Sequence, residues 1–387
     1  MIPLTLDAPG AIRLAALPPL ALYVHIPWCV RKCPYCDFNS HERAGPLPEQ
    51  AYLARLFEDL EAALPSIWGR RVGSVFIGGG TPSLFSPEAI DTLLSGVRAR
   101  LPLEPQAEIT LEANPGTVEA GRFRGFRAAG VNRISIGIQS FDDAMLQALG
   151  RIHSAAEARA AVEVAAAVFD NINLDLMYGL PGQSSAMARA DLEQALALGV
   201  PHVSAYQLTI EPNTVFFRRP PRLPPHDQCA DMQLAAEALL AAAGLEHYET
   251  SAFARPGVRC RHNLNYWQFG DYLGIGAGAH GKLSFPDRVT RHVRASQPAE
   301  YLRGSGRAQE RVVPAAELGF EFMLNALRLI EGVDVRLFAE RTGLSLSAVE
   351  PQLSQAEARG LLERDWRRIR PSERGRRFLN ELLQLFL

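Results

Sequence analysis

Three of the five cysteines, Cys29, Cys33 and Cys36, lie within eight residues of one another at the spacing C-x3-C-x2-C. An odd number of cysteines, most of them clustered, makes a poor disulfide framework and a good metal or redox site. We therefore expect a reducing environment, which for most proteins is the cytoplasm. The spacing predicts a metal centre, and the sequence raises the question of what completes its coordination.

Three interpretations of these cysteines compete. A structural zinc ion needs four ligands, and His25 or His41 would supply the fourth, although no second cysteine pair follows. Three buried, inert thiols are the second interpretation, which so tight a spacing disfavours. The third is an iron–sulfur cluster held by three thiolates, which leaves one iron open as a catalytic metal requires. The spacing favours this third interpretation.

The elements that must position the cysteines follow a repeating pattern. Short β-branched runs alternate with Ala-, Leu- and Glu-rich helical patterns. The predicted strands are Leu22–Pro27, Ser74–Gly80, Glu108–Pro115, Arg133–Phe141, Ile172–Pro181 and His202–Ile210. This alternation predicts an α/β fold with a parallel sheet, here a partial (β/α)6 TIM-like barrel. Active sites of such folds lie at the carboxyl ends of the strands.

Polar and glycine residues gather at those strand ends. The run Gly78–Thr81 lets backbone groups approach a ligand closely, although a tight turn alone would also explain it. Glu112 needs a partner, and an ammonium group or a ribose hydroxyl would serve; the alternative is a salt bridge to Arg133 or Arg151. The guanidinium of Arg151 suits a carboxylate, and Asp175 suits ribose hydroxyls. Gln139 is the remaining candidate. A structural hydrogen bond explains each residue alone, whereas together they favour one ligand.

The cysteine spacing at the end of a first strand, ahead of βα repeats, resembles the signature of the radical SAM superfamily. Tyr35, an aromatic residue just before the third cysteine, matches as well. The resemblance implies a 4Fe–4S cluster on the three cysteines. It also implies that S-adenosylmethionine (SAM) chelates the open iron through its amino and carboxylate groups. An electron from the cluster would then cleave the C–S bond and yield a 5'-deoxyadenosyl radical.

Nearly the whole chain resembles the oxygen-independent coproporphyrinogen III oxidase family. The motifs YVHIPWC, GGGTP, EANP, GIQSF, GRIHS, INLDLMYGLPGQ and GIGAGAHG occur in the order of that family. By matched position, the implied SAM contacts are Tyr23, Tyr35, Gly79, Gly80, Thr81, Glu112, Gln139, Arg151 and Asp175. The GIGAGAHG stretch also fits G-x-G-x-x-G, but it offers no helix N-terminus. We interpret it as a loop that closes over the SAM site.

That family has two arms, and the sequence resembles the heme chaperone (HemW-type) arm. The dehydrogenase arm carries a fourth cysteine where Phe38 stands here, and a longer N-terminal extension. The chaperone arm carries H-N-x-x-Y-W, present here as HNLNYW from His262 to Trp267. The resemblance implies a radical SAM protein that binds heme as cargo and transfers it to acceptor proteins. The alternative is an enzyme, an oxygen-independent coproporphyrinogen III oxidase, whose activity these two departures put in doubt.

His262 is then the candidate heme-iron ligand, because neutral imidazole is a common axial ligand. Tyr266 and Trp267 would pack on a porphyrin face. The competing interpretation is a structural turn in which His262 is hydrogen-bonded and the two aromatic rings fill the core. We interpret the nearby Cys260 as a small buried thiol rather than a ligand.

The pattern divides the chain into three parts. Residues 1–20 read as a short disordered tail, residues 21–297 as a radical SAM domain with a family-specific extension, and residues 298–387 as a HemN-like domain. The last part predicts short helices, a ribbon and a final helix, as in a winged-helix module. Its many arginines alternate with Glu363, Asp365 and Glu373, which favours a solvated, salt-bridged face over a DNA-binding regulator.

The predicted partners are heme and heme-accepting proteins, and the net charge of −2 gives no reason to expect nucleic acid. A cytoplasmic location is predicted, since no apolar run is long enough to span a bilayer. The sequence leaves open which proteins accept heme, whether the chain forms a homodimer, and whether it associates peripherally with a membrane.

Overall fold

A twelve-stranded sheet organises the computed structural model, which describes residues 12–117, 120–304 and 307–387. Six parallel strands form its middle and follow one another in chain order. They are Leu20–Ile26, Val72–Gly79, Leu103–Ala113, Arg133–Gln139, Ile172–Tyr178 and His202–Gln207. Each overlaps one predicted strand, so the prediction of an α/β fold built on a partial barrel is confirmed.

The sheet continues beyond both ends of the predicted barrel, which the sequence analysis missed. Asp271–Ile275 pairs in parallel with the first strand, on the side away from Val72–Gly79. Antiparallel strands extend this side, and two more extend the side of the sixth strand. They are His280–Phe285, Arg288–Arg294 and Arg307–Val312 on one side, and Ala252–Ala254 and Glu246–Glu249 on the other.

Helices pack around this sheet. Before the C-terminal part they are Glu49–Ala63, Pro87–Arg100, Ala120–Ala129, Asp143–Ala148, Ala155–Ala166, Ser185–Ala197, Val215–Arg218, His226–Ala242, Arg261–Trp267 and Pro298–Arg303. Several begin at side chains that accept hydrogen bonds from the first turn. Ser154 and Glu157, for example, form a reciprocal capping box at the start of Ala155–Ala166. Such caps fix where each helix starts, and therefore how long the loop after each strand is.

One face of the parallel strands is apolar and packs against the helices. Leu22, Val75, Leu111, Ile136 and Leu174 all lie on this face and are fully buried. The opposite face also carries buried polar side chains, such as those of Thr110 and Asn173. Since the strands run in one direction, the loops that follow them meet at one edge, where the candidate polar residues lie.

A buried ion pair fixes the short loop after Asp271–Ile275. Asp59 contacts Arg294 at 2.8 Å and accepts a hydrogen bond from the Tyr301 hydroxyl at 2.9 Å. The same carboxylate lies 3.4 Å from the backbone nitrogen of Gly276. Both members of the pair are nearly inaccessible to solvent. This pair therefore connects a helix of the barrel to the glycine-rich stretch near the cysteine loop.

The C-terminal part has the elements that its pattern predicts. The helices Ala315–Ala326, Arg336–Thr342 and Glu350–Ala358 precede a ribbon of Leu362–Arg364 and Arg368–Pro371, and Val333–Asp334 pairs with the second of these strands. The predicted last helix is two short helices, Glu373–Arg377 and Leu379–Gln384, separated at Phe378. A second apolar core around Phe322 and Phe338 holds these elements together. It includes Phe269 and Val289, so the boundary at residue 298 stays a prediction.

Some of the arginines of this part are paired. Arg364 contacts Glu350 at 2.7 Å and Glu357 at 3.0 Å, and Arg370 contacts Glu363 at 2.7 Å. This is the partly salt-bridged face that the interleaved acidic residues predict. Charges compensated in this way leave less net positive potential for phosphate groups.

Part of the predicted disordered tail is ordered, so that interpretation was wrong for residues 12–19. Leu14 is buried, and its backbone nitrogen donates to the Pro286 carbonyl at 2.9 Å. The neighbouring Arg13 nitrogen donates to the Gly343 carbonyl, so this segment joins the C-terminal part to the sheet. Residues 1–11 of the predicted tail lie outside the described residues. Within the described ranges, no helix is long and apolar enough to cross a bilayer.

Candidate metal centre and adjacent cavity

The three clustered cysteines lie on the loop that follows the first parallel strand, and all three line one cavity of about 270 Å³. A short parallel pairing of Trp28–Cys29 with His41–Glu42 closes the base of this loop. Inside it, the backbone nitrogen of Cys36 donates to the Cys33 carbonyl at 3.1 Å. All three thiols are free and partly exposed. The local fold therefore presents three unpaired thiols to a single space.

A polar side chain contacts each sulfur atom. The hydroxyl of Thr81 lies 3.5 Å from Cys29 Sγ, and Arg151 Nη1 lies 3.6 Å from Cys33 Sγ. The Ser40 hydroxyl lies 3.6 Å from Cys36 Sγ. Burial raises the pKa of the Cys29 and Cys36 thiols. Their thiolates therefore need a positive centre beside them, and bound iron would supply it.

The arrangement suits a cluster better than a single ion. No three His, Cys, Asp or Glu side chains within the described ranges are grouped so as to hold one metal ion. A tetrahedral zinc site would bring its ligands to one centre, whereas each thiolate of an iron–sulfur cluster binds a different iron. Three separated thiols around one cavity therefore fit a cluster.

The glycine run at the end of the second strand brings backbone against the cysteine loop. Gly80 N donates to the Ile26 carbonyl at 2.8 Å, and Thr81 N donates to the Trp28 carbonyl at 2.8 Å. Gly79 has φ +113°, and a Cβ there would lie 2.6 Å from the His25 ring. At Gly80 a Cβ would lie 2.6 Å from the Trp28 carbonyl oxygen. Both positions therefore require glycine on steric grounds, beyond any contact with a ligand.

Glu112 ends the third strand at the floor of this cavity. Its Oε2 accepts a hydrogen bond from Gly79 N at 3.1 Å. Burial, and then the charge of Asp175, raises the pKa of Glu112 to about 8. No basic side chain forms an ion pair with it in the described part of the chain, so the predicted alternative of a salt bridge to Arg133 or Arg151 was wrong. A cationic group bound in the cavity would complete this site.

The side chain of Arg151 lines the same cavity. Its Nη2 donates to the Asn114 side-chain oxygen and to the Gly137 carbonyl, both at 2.7 Å. Its Nε is buried and has no hydrogen-bond partner among the described residues. A guanidinium with an unused donor beside the cysteine loop suits a carboxylate, and the sequence predicted this role.

Two further predicted residues lie on the same wall. Gln139 has φ +70°, a rare conformation for a residue with a Cβ, and accepts a hydrogen bond from the Tyr206 hydroxyl at 2.8 Å. Such backbone strain is typical of functional sites. Asp175 accepts hydrogen bonds from Ser135 at 3.0 Å and Asn173 at 2.9 Å. Burial raises the pKa of Asp175, so further donors such as hydroxyl groups would stabilise its charge.

The structure brings almost all predicted SAM contacts together. The residues that line the cavity with the cysteines are Tyr35, Gly79, Gly80, Thr81, Glu112, Gln139, Arg151 and Asp175. Tyr23 lines the adjacent cavity instead, where its hydroxyl lies 3.0 Å from His25 Nδ1. Asn114, which the sequence places with Glu112 at a strand end, lines the first cavity as well, whereas sequence reasoning missed Tyr206. Tyr206 lies near the end of the sixth strand, so its strand-end position was the available signal.

A second cavity, of about 540 Å³, adjoins the first. Phe38, Gly79 and Glu112 line both cavities. The remaining wall comes largely from the HNLNYW segment and from the strands that follow it. It includes Tyr23, Tyr266, Trp267, Tyr272, His280 and Arg291. Aromatic and polar side chains line this cavity together, and its volume lies within the usual range for ligand sites, about 300–1,000 Å³.

His262 does not line this cavity. It is 1% exposed, and it lies behind Tyr266. Its Nδ1 lies 3.0 Å from the Ser74 hydroxyl and its Nε2 lies 3.0 Å from the Tyr266 hydroxyl. Burial lowers the pKa of His262 to about 3, so the ring is neutral. Both ring nitrogens are thus engaged with side chains. This environment resembles the alternative interpretation, a structural turn with a hydrogen-bonded His262, and iron ligation by His262 stays a prediction.

The start of the HNLNYW helix is fixed by a buried carboxylate. Glu108 accepts hydrogen bonds from the backbone nitrogens of Arg261 and His262, both at 3.1 Å. The Cys260 thiol lies 3.6 Å from the same carboxylate. Burial raises the pKa of Cys260 to about 12, which matches its interpretation as a buried thiol.

Comparison with known proteins gives two family matches within the chain. The model described as "Radical SAM superfamily" matches residues 23–195, and the model described as "HemN C-terminal domain" matches residues 313–378. The first span contains every residue of the cysteine cavity up to Asp175. The second lies within the C-terminal part that holds the ribbon.

The relatives that match nearly the whole chain include proteins named heme chaperone HemW. A heme chaperone HemW of Escherichia coli (strain K12) is 52% identical and covers 97% of this chain and 100% of its own. A heme chaperone HemW of Haemophilus influenzae is 53% identical and covers 96% of this chain and 98% of its own. A mitochondrial radical S-adenosyl methionine domain-containing protein 1 of Bos taurus is 37% identical, and the match covers 97% of this chain and 88% of that protein.

A solved structure shares the fold. Coproporphyrinogen III oxidase (HemN) from Escherichia coli, described as a radical SAM enzyme, superposes with a TM-score of 0.81. The match covers 96% of this chain and 90% of that chain at 22% identity. At this identity the likeness establishes the shared architecture and leaves the chemistry to the site residues.

Proposed function

Because the chain belongs to the HemW family of radical SAM heme chaperones, we propose that it binds heme and transfers it to acceptor proteins. The observation that carries this proposal is the similarity along the whole chain to proteins named heme chaperone HemW, with 52% identity over 378 residues in one case. A likeness of that extent includes the cysteine loop, the strand-end residues and the C-terminal part alike.

We propose that Cys29, Cys33 and Cys36 hold a 4Fe–4S cluster, and that SAM occupies the rest of the first cavity. When bound, the cluster supplies an open iron and an electron for cleavage of SAM. Among the described residues, Arg151 Nε has no hydrogen-bond partner and Glu112 has no ion-pair partner, and we propose that the SAM carboxylate and amino group supply these partners. The strand-end residues Gly79, Gly80, Thr81, Gln139 and Asp175, with Tyr35, complete the proposed SAM site, and Tyr23 approaches it from the adjacent cavity.

The same geometry supports delivery over decarboxylation. Phe38 stands where the dehydrogenase arm has a fourth cysteine, and its side chain is 62% exposed at the junction of the two cavities. A phenyl group has no donor for a metal and no acid or base for a propionate. At this position the chain therefore lacks the thiol that the resemblance assigns to the oxidase alternative.

The remaining parts of the proposal concern setting and partners. We propose a cytoplasmic protein, with residues 298–387 as its HemN-like domain and residues 21–297 as the radical SAM domain. Heme-accepting proteins are the proposed partners. Dimer formation and peripheral attachment to a membrane are compatible with this function, and neither is required for a cavity that holds one heme.

Heme titration followed by transfer tests the proposal. Protein reconstituted without oxygen with iron, sulfide and SAM should bind heme saturably, as a Soret band shows. Mixing it with a heme-free heme enzyme should restore that enzyme's activity faster than heme-loaded serum albumin does at the same heme concentration. Absence of saturable binding, or transfer no faster than from albumin, would contradict delivery.

A second assay addresses the alternative function. The reconstituted protein is incubated with coproporphyrinogen III, SAM and a reductant, and protoporphyrinogen is measured. We expect no conversion. Turnover within a decade or two of about 1 per second, a rate ordinary for enzymes, would support the oxidase instead.

A further inference from the structure

We propose that heme is seated in the cavity of about 540 Å³ beside the cysteine cavity, with His280 as its iron ligand and His262 as the residue that positions Tyr266. This inference rests on the proposed function and names the site at which the heme is held. It assigns the ligand to a histidine outside the HNLNYW segment.

Elimination among the side chains of this cavity leads to His280. Heme iron takes histidine, cysteine, methionine or tyrosine as axial ligand. Among the described residues, no cysteine or methionine lines the cavity, and its histidines are His25 and His280. Both ring nitrogens of His25 are engaged, one with the Tyr23 hydroxyl at 3.0 Å and one with the Asn39 carbonyl at 2.8 Å. The imidazole of His280 has no hydrogen-bond partner in the described ranges, and it is exposed.

The three tyrosines of the cavity are poor ligands. The hydroxyls of Tyr23 and Tyr266 are bonded to histidines, and the Tyr272 hydroxyl accepts from Arg291 Nη1 at 2.6 Å. Burial raises the pKa of all three phenols, which opposes the phenolate that iron would bind. They are better suited to packing against a porphyrin, because aromatic side chains supply a large apolar area with a polar tip.

The surroundings of His280 suit ligation. The residue begins the strand His280–Phe285, which pairs with Arg288–Arg294 and is therefore fixed in direction. Its carbonyl also packs so tightly on Gly274 that a Cβ there would clash. The ligand thus stands on a rigid strand end at the mouth of the cavity.

An exposed single ligand also suits a protein that must release its cargo. A histidine sealed in the core would need local unfolding before heme could leave, whereas a ligand at the rim can be exchanged in place. With one protein ligand, the opposite axial position remains free for a ligand from the acceptor. Transfer would then proceed by exchange of imidazole ligands at the iron.

His262 acts behind this wall. Its Nε2 lies 3.0 Å from the Tyr266 hydroxyl, and the two rings meet edge to face with centroids 4.8 Å apart. Loss of the imidazole would free Tyr266 to turn and would leave the Ser74 hydroxyl unpaired. We therefore expect His262→Ala to weaken heme binding through the shape of the cavity, without changing the atom bound to iron.

The test compares heme spectra and affinities of the full chain and its variants, reconstituted with cluster and SAM. His280→Ala should shift the Soret band and lower heme affinity by at least about tenfold. Even the loss of a residue that only hydrogen-bonds to a metal ligand costs about tenfold or more in affinity, and loss of the ligand itself should cost no less. Free imidazole added to His280→Ala should restore the spectrum. His226→Ala is the matched control, because His226 is another exposed histidine and lies on the helix His226–Ala242. It should behave as wild type.

The variants at His262 separate a ligand from a positioning residue. His262→Ala should keep the wild-type Soret position and the wild-type electron paramagnetic resonance signal of ferric heme while its affinity falls. His262→Gln, which can still bond to Tyr266, should recover part of that affinity. A wild-type Soret band and affinity in His280→Ala would overturn the assignment, as would loss of the axial-ligand signal in His262→Ala alone. Failure of the wild-type protein to bind heme would instead overturn the proposed function and, with it, this inference.

Discussion

Glu112 offers a sharp test of the proposed SAM site. The carboxyl group lies at the floor of the cysteine cavity, bonded to Gly79 N, with its pKa raised to about 8 by burial and by Asp175. If the SAM amino group is its missing partner, binding SAM must ionise it. Glu112→Gln keeps the hydrogen-bond acceptor and removes the charge, so the variant isolates that ionisation.

The number of protons released follows from the pKa. At pH 7 the protonated fraction of Glu112 is 1/(1 + 10^(7−8)), about 0.9, and at pH 9 it is 1/(1 + 10^(9−8)), about 0.1. SAM binding at pH 7 should therefore release about 0.9 more protons from wild type than from Glu112→Gln, falling to about 0.1 at pH 9. Loss of a hydrogen bond between charged groups costs about 1.5–3 kcal/mol, so SAM affinity in the variant should fall about ten- to hundredfold.

The same group should make the SAM-free protein less stable as pH rises. The folded-state pKa of Glu112, about 8, lies above the ordinary value of 4.5, so the unfolded chain loses this proton first. The contribution of Glu112 to the free energy of unfolding is fully present below pH 4.5 and is lost as pH rises to about 8. The loss is at most about 1.4 kcal/mol per pH unit. Without SAM, Glu112→Gln should therefore unfold at higher temperature than wild type at pH 8.

Calorimetric titration of SAM in buffers of different ionisation enthalpy measures the protons, and thermal unfolding measures the stability. The difference in proton release between wild type and the variant excludes the protons that SAM and the cluster themselves exchange. Equal proton release by both proteins at pH 7 would refute the reasoning about Glu112. So would a variant that binds SAM normally and melts below wild type at pH 8.

Two other perturbations follow from buried contacts. Alanine in place of any one of the three clustered cysteines should abolish the brown iron–sulfur chromophore and its reducible signal. Cys229→Ala, which changes a buried thiol outside the cavity, should keep both. A complete cluster in Cys33→Ala would contradict the assignment. Asp59→Ala leaves Arg294 buried without its carboxylate, so the free energy of unfolding should fall by about 3–5 kcal/mol. Denaturant unfolding measures this loss, with the exposed Glu58→Ala as control, and a change within about 0.5 kcal/mol would refute it.

The sequence by itself determined the features that are local along the chain. Three cysteines on one short loop need no tertiary information to suggest a metal centre, and six strand-length runs that alternate with helical patterns suffice to predict a parallel sheet. The strand-end residues Glu112, Gln139 and Asp175 could be grouped in advance, because parallel strands place their carboxyl ends at one edge. The ribbon and helices of the C-terminal part were also recognisable from periodicity and turn residues.

Only the tertiary structure decided the environment of each histidine. The HNLNYW motif names His262, but its partner Ser74 lies 188 residues away in the chain, and no local pattern indicates that their contact buries the ring. His280, in a stretch that the sequence suggests is only a loop, starts a strand whose pairing leaves its imidazole at the rim of a cavity. Spacing predicts which residues are neighbours along a strand or loop. Burial and hydrogen-bond partners depend on which distant segments pack against them, and these contacts exist only in the folded chain.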